Sequence, residues 1–214
     1  MSIKHNKIFC IGFNKTGTTS LHNFFKSCGL KSTHNTEWCH YSFIKNGQEY
    51  FVNQCYSDGE QSNFIQLERW FPDSLFLLNT RDVKQWLYSR VKHVMRHNEN
   101  INLGSLLLKK KYGKMAKDFY SNESNAIRKW VIERELYHKQ VRTHFNNNSR
   151  FIEVDVTKAV HWTENLTSFF DRNDFKYNMI KPVKPIHKNK RNNHDLANEK
   201  MLSNYFTLID KLIE

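Results

Sequence analysis

The sequence predicts a single α/β domain of three layers built on a central parallel sheet. Three observations carry that expectation. Uninterrupted apolar runs recur along the chain, too short for helices and lacking the alternation of a half-exposed strand. Segments with apolar residues at helical spacing separate these runs, and strands that alternate with helices build parallel sheets. The first run feeds a glycine-bracketed loop, and the loop feeds a helix.

Taken in order, Ile8, Phe9, Cys10 and Ile11 form a strand covered on both faces. Helical spacing over residues 20–28 aligns Leu21, Phe24 and Phe25, and Gly29 ends that helix. Residues 30–50 are polar and mixed, hold Trp38, Tyr41 and Phe43, and show no clear period. Residues 50–56 read as the second strand, stopped by Ser57-Asp58-Gly59. Phe64, Ile65, Leu67, Trp70 and Phe71 mark a helix over 63–71 that ends before Pro72. Residues 74–80 are the third strand, and helix follows at once through Val83, Trp86, Leu87 and Val91.

Residues 92–125 read as a long basic helical region with breaks at Gly104 and Gly113. Its lysines, Lys109, Lys110, Lys111, Lys114 and Lys117, suit either a solvated helix face or a lid or acceptor-binding insertion. A long helix is expected over 126–145, a turn over 146–149, a fourth strand over 150–156 and a helix over 162–170. Residues 176–194 carry six basic and no acidic residues, and Pro182 and Pro185 keep them irregular. A final amphipathic helix spans 196–213, and no internal repeat or second domain is evident.

A chain of 214 residues can bury roughly 70% of its unfolded surface, enough for a core without covalent staples. Cys10, Cys28, Cys39 and Cys55 show no C-x-x-C spacing and are expected to be free thiols in a reducing compartment. Cys39 and His40 lack the spacing of a zinc site, so no metal is expected. The opening residues run straight into the first strand, and no apolar run approaches the ~18 residues of a membrane helix. A soluble, cytoplasmic protein without a signal peptide or membrane anchor is the expectation. The formal charge of +12 points to an anionic partner: nucleic acid, an acidic membrane, or an anionic cofactor or acceptor.

The loop between the first strand and the first helix narrows that choice. Gly12 and Gly17 bracket it, and the following helix start offers unpaired N–H groups and the positive end of a helix dipole. The spacing nearly matches the triphosphate-binding G-x-x-x-x-G-K-[ST], so the expected fold is P-loop NTPase-like. Thr19 fills the Ser/Thr place, but Thr18 stands where the lysine belongs, and the loop's lysine is Lys15, two residues before the second glycine. A lysine inside the loop reaches a different part of the anion than one at the helix start.

Lys15-Thr16-Gly17-Thr18-Thr19-Ser20-Leu21 resembles the 5′-phosphosulfate loop of the P-loop sulfotransferases, which use 3′-phosphoadenosine 5′-phosphosulfate, PAPS. A second landmark agrees. The third strand ends in Asn79-Thr80-Arg81-Asp82, and Ser89 follows Arg81 by eight residues, the spacing with which that family grips the cofactor's 3′-phosphate. Phe151 to Thr157, then Trp162, Leu166, Phe169 and Phe170, look like the family's late strand and helix, and Pro185 to Lys190 resembles its Pro-x-His-x-Asn stretch.

The chain departs from the family in two places. Ser20 stands where cytosolic small-molecule members carry an adenine-stacking tryptophan and where members acting on carbohydrate often have a small residue, and there is no Arg-Lys-Gly triplet. Lys188, Lys190 and Arg191 are the candidates for the triplet's work.

The resemblance implies a sulfuryl transfer from PAPS to a hydroxyl or amine, without a metal. Lys15 would neutralise the leaving phosphate oxygen, and Lys15, Thr16, Gly17, Thr18, Thr19 and Ser20 would cradle the 5′-phosphate. PAPS brings roughly four negative charges, which accounts for part of the basic excess. The family's general base follows its second strand. Asp58 is the first choice here, Glu60 the second, and His187 a third; Glu68 reads as a helix-surface residue. The alternatives are a P-loop kinase or NTPase, which needs magnesium ligands and a lysine at position 18, and a non-enzymatic nucleic-acid binder using the basic stretches. The chain carries no recognisable nucleic-acid motif.

Overall fold

Alternating strands and helices assemble as the apolar runs require, with each run covered on both sides. The structure, a computed structural model, describes residues 7–99, 106–158, 160–180 and 196–213. Its five strands, β1 (Ile8–Cys10), β2 (Ser32–His34), β3 (Cys55–Ser57), β4 (Leu75–Asn79) and β5 (Phe151–Val154), form one parallel sheet in the order β2-β3-β1-β4-β5. Among the described residues there are eight α-helices: α1 (Thr18–Ser27), α2 (Trp38–Tyr41), α3 (Phe64–Trp70), α4 (Val83–Glu99), α5 (Leu106–Ser121), α6 (Glu123–His144), α7 (Trp162–Asp171) and α8 (Leu196–Ile213).

Two compact units result. The first holds the described residues of Met1–Arg81 and Tyr137–Lys188, the second those of Asp82–Leu136 and Asn189–Glu214. The first unit contains the whole sheet. On one face Ile8, Cys10, Cys55, Leu75, Leu77 and Val154 pack with Leu21, Phe24 and Phe25 of α1 and Trp162, Leu166, Phe169 and Phe170 of α7. The other face is aromatic. Phe9 lies 5.3 Å from Tyr56, 5.6 Å from Phe76 and 5.8 Å from Trp38 between ring centroids, and Phe76 stacks on Phe145. Every residue of β1 and β4 is buried, as uninterrupted apolar runs demand, and covering both faces is consistent with three layers.

In the second unit α4 packs with α5 and α8. Arg90 lies over the rings of Trp86 and Trp130, Arg134 lies over Trp86, and Phe119 stacks on Trp130. Lys84 and Tyr88 both reach Asp210, and the Tyr88 ring stacks against Phe206, fixing α8 to α4.

Two expectations need correction, and a stretch without a clear period gains a strand. The second strand is displaced: residues 47–50 form a 3-10 turn, and pairing covers only Cys55–Ser57. The backbone before it is captured by side chains, since the buried Lys7 ammonium binds the carbonyls of Phe51 and Asn53, and Asn53 N–H donates to the Tyr56 hydroxyl. A further strand, β2, lies in the stretch that showed no period. It is a polar three-residue edge, held by parallel pairing to β3 rather than by burial. Gly113 does not break its helix. A Cβ there would meet nothing within 4 Å, so α5 runs through it at about 1 kcal/mol relative to alanine. The break falls instead at Asn122, whose side chain caps α6 by accepting from Asn125 N–H. Gly104 lies outside the described residues.

Candidate functional site

β1 ends in the middle of the sheet, and its loop starts beside the end of β4. After β1 the chain turns toward β2 and β3; after β4 it turns toward β5. Connections therefore diverge between β1 and β4, which is where open parallel sheets leave a crevice at the carboxyl ends of their strands.

Tight packing sets the loop's shape. A Cβ on Gly12 would lie 2.1 Å from the carbonyl oxygen of Asn79, so only glycine lets the two strand ends approach. Gly17 has φ 89°, and a Cβ there would also meet Val156 at 2.1 Å. Lys15 is left-handed as well, at φ 65°, although it is not glycine. The Lys15 carbonyl accepts a 3.0 Å bond from the Arg81 guanidinium, and the Ile11 carbonyl accepts a 2.9 Å bond from the buried Tyr137 hydroxyl of α6.

Buried side chains hold the rest. Asn79 accepts from Gly12 N–H at 3.0 Å and donates to Thr16 Oγ1 at 2.5 Å and the Phe13 carbonyl at 3.3 Å. The Thr16 hydroxyl donates to the same Phe13 carbonyl. Asn14 donates to Glu60 at 3.0 Å, with both residues buried. Gly17 caps α1, and its carbonyl accepts from Ser20 and Leu21. The N–H groups of Gly17, Thr18 and Thr19 have no hydrogen-bond partner among the described residues, so they form an anion-ready first turn.

Thr18 ties the loop to its neighbours. Its Oγ1 lies 3.0 Å from His34 Nε2, at the end of β2, and 3.5 Å from Asp58 Oδ1, just past β3. Asp58 is left-handed, at φ 73°, and the Asp58 carbonyl accepts a weak bond from the Cys39 thiol. Loss of hydration and then the nearby Lys15 charge hold His34 below its ordinary range. His22 is also lowered, by burial first and then by His34 and Lys26. The His22 ring lies 5.7 Å from that of His34 and bonds Ser32.

The first unit thus brings together Lys15, Thr16, Gly17, Thr18, Thr19, Ser20, Arg81 and Asp58. Glu60 joins them through Asn14. Glu68 sits on α3 and pairs with His144 at 2.6 Å, the surface role its helical position suggests. Ser89 lies on α4 in the second unit, and His187, Lys188, Lys190 and Arg191 lie outside the described residues. All four cysteines are free and buried, and no cluster of three or more metal-ligating side chains occurs among the described residues. No described helix is long and apolar enough to cross a membrane.

Two residues of this site escape sequence reasoning. His34 ends a strand with no apolar period to mark it, and Asn79 looks like the polar stop of a buried run. The available signal was position: each is the last residue of a strand whose carboxyl end meets the loop. No protein-family model matches the chain, and no curated protein matches it.

Proposed function

We propose that this protein is a sulfotransferase that moves a sulfuryl group from PAPS to a hydroxyl or amine acceptor, releasing adenosine 3′,5′-bisphosphate. The observation that carries the reading is the position of Lys15. It stands inside the loop in a left-handed conformation, with its carbonyl held by Arg81, while Thr18 occupies the helix start where a triphosphate loop needs lysine. The finer fold is then of the P-loop NTPase type, three layers deep, with the loop-bearing strand central in the sheet.

The residues present fit a phosphosulfate. Gly17, Thr18 and Thr19 offer N–H groups at a helix N-terminus, and glycines keep Cβ atoms out of the loop's tightest contacts. PAPS supplies the activated sulfuryl group, whose bond to the bridging phosphate oxygen breaks as a bond to the acceptor forms. The Lys15 charge, near enough to His34 to lower its basicity, is the group assigned to favour negative charge on the leaving side. Arg81 holds the Lys15 carbonyl and carries the fork geometry suited to a phosphate. The Asp58 carboxylate takes the acceptor's proton. His34, across Thr18, is the second group able to do so; burial and then the Lys15 charge lower its basicity.

The test has two parts. The protein is expected to be retained on immobilised adenosine 3′,5′-bisphosphate and to transfer label from PAPS to a member of an acceptor panel, with mass identification of the product. Magnesium-dependent ATP binding without preference for a 3′-phosphate would point to a kinase or NTPase instead. Tight nucleic-acid binding with a steep salt slope and no PAPS turnover would point to a binding protein.

A further inference from the structure

We infer that Asn79 is the positioning residue of the Gly12–Gly17 loop, acting as a two-sided brace that pre-forms the anion site; the inference rests on the reading of that loop as the phosphosulfate site. Asn79 is the last residue of β4 and is fully buried. The Asn79 amide is used on both faces at once. Oδ1 accepts from Gly12 N–H at the loop's start, while Nδ2 donates to the Phe13 carbonyl and to Thr16 Oγ1 farther along. One side chain therefore ties three loop residues to the end of the neighbouring strand.

The hydrogen-bond directions fix what each group can do. The Thr16 hydroxyl has one proton, which goes to the Phe13 carbonyl, and its oxygen accepts from Asn79. Its proton is thus spent inside the loop, and Thr16 serves the loop's shape rather than donating to a ligand. Lys15 precedes this anchored residue and has its own carbonyl held by Arg81, so its left-handed backbone is held where it leads into Thr16. A loop held this way loses little conformational freedom on binding, which is how a brace strengthens affinity without touching the ligand.

The chemistry calls for an amide. Aspartate at position 79 keeps the acceptor for Gly12 N–H but turns a carboxylate oxygen toward two oxygens, Phe13 O and Thr16 Oγ1. Leucine keeps the volume and removes all three bonds.

The experiment measures binding of adenosine 3′,5′-bisphosphate by calorimetry for the wild type and for Asn79→Asp, Thr16→Val and Thr16→Ser, with circular dichroism as a check on folding. Asn79→Asp and Thr16→Val are expected to bind roughly 10- to 100-fold more weakly, the loss of one or two hydrogen bonds' worth of pre-organisation. Thr16→Ser keeps the hydroxyl and is expected to bind within about threefold of the wild type, a rescue that a purely bulk-packing role of Thr16 would not produce. The Asn79 side-chain amide protons should be protected from exchange in the wild type and exposed in Thr16→Val. Asn79→Asp and Thr16→Val proteins that bind as well as the wild type overturn the brace and leave the loop reading standing. A wild type that binds no adenosine 3′,5′-bisphosphate overturns both. Should Asn79→Asp fail to fold, the Thr16 pair and the exchange measurement decide the matter.

Discussion

The hydroxyl of Thr18 lies 3.0 Å from Nε2 of His34, so the first residue of the loop's helix is bonded to the last residue of the sheet's edge strand. His34 sits in a positive field from Lys15, with His22 beside it, Lys26 behind His22 and Asp58 across Thr18. Both histidines are lowered from 6.5, so between that value and their folded values the unfolded chain binds more protons. Their contribution to stability is therefore present above pH 6.5 and lost as pH falls below it. The melting temperature is expected to drop on acidification through this window, and the drop should be smaller in a His22→Gln, His34→Gln double variant. Equal pH slopes in the two proteins would falsify the assignment.

The backbone part played by Asp58 is separable from the catalytic part proposed for its carboxylate. Its left-handed backbone favours aspartate, asparagine or glycine, whereas alanine there costs about 1 kcal/mol. Asp58→Asn should melt within a few degrees of the wild type, and Asp58→Ala several degrees lower. If the carboxylate takes the acceptor's proton, both should transfer label from PAPS at least ~100-fold more slowly. An active Asp58→Asn protein beside an inactive His34→Gln protein would move the role to His34.

Lys15→Met leaves the strained backbone carrying an ordinary unbranched side chain and removes only the charge. It should fold as the wild type does and lose sulfuryl transfer by roughly 10²-fold or more, since electrostatic stabilisation is its assigned part. Label-transfer rates measured at saturating PAPS check this, and an unchanged rate would remove Lys15 from the mechanism.

Gly17→Ala should be strongly destabilising. The new methyl meets Val156 at 2.1 Å and must also adopt φ 89°. Overpacking and left-handed strain together suggest a loss of about 2–4 kcal/mol, read as a lower denaturation midpoint in urea. Adding Val156→Ala should recover part of that loss, because it removes the clashing methyl but not the strain.

The buried strands β1 and β4 were legible because each is a largely apolar run, and β1, β4 and the half-exposed β5 lie within a residue or two of where the sequence pattern sets them. The helices over α3, α6, α7 and α8 followed from their spacing in the same way. Local pattern failed where burial did not write it. β2 is polar and exists only because β3 pairs with it, and the start of the expected second strand is bent away by Lys7, forty-four residues from Phe51 along the chain.

The candidate site divides along the same line. Gly12, Lys15 and Gly17 are visible as a loop because their spacing lies within six residues, and their chemistry belongs to their residue types. That Lys15 is left-handed, that Thr16 turns inward, and that Asn79 and His34 meet the loop are facts of folding alone. Asn79 and Gly12 are sixty-seven residues apart, and no local period links them. Parallel pairing aligned the carboxyl ends of β1, β2, β3 and β4, and that alignment brought their last residues into reach of one another.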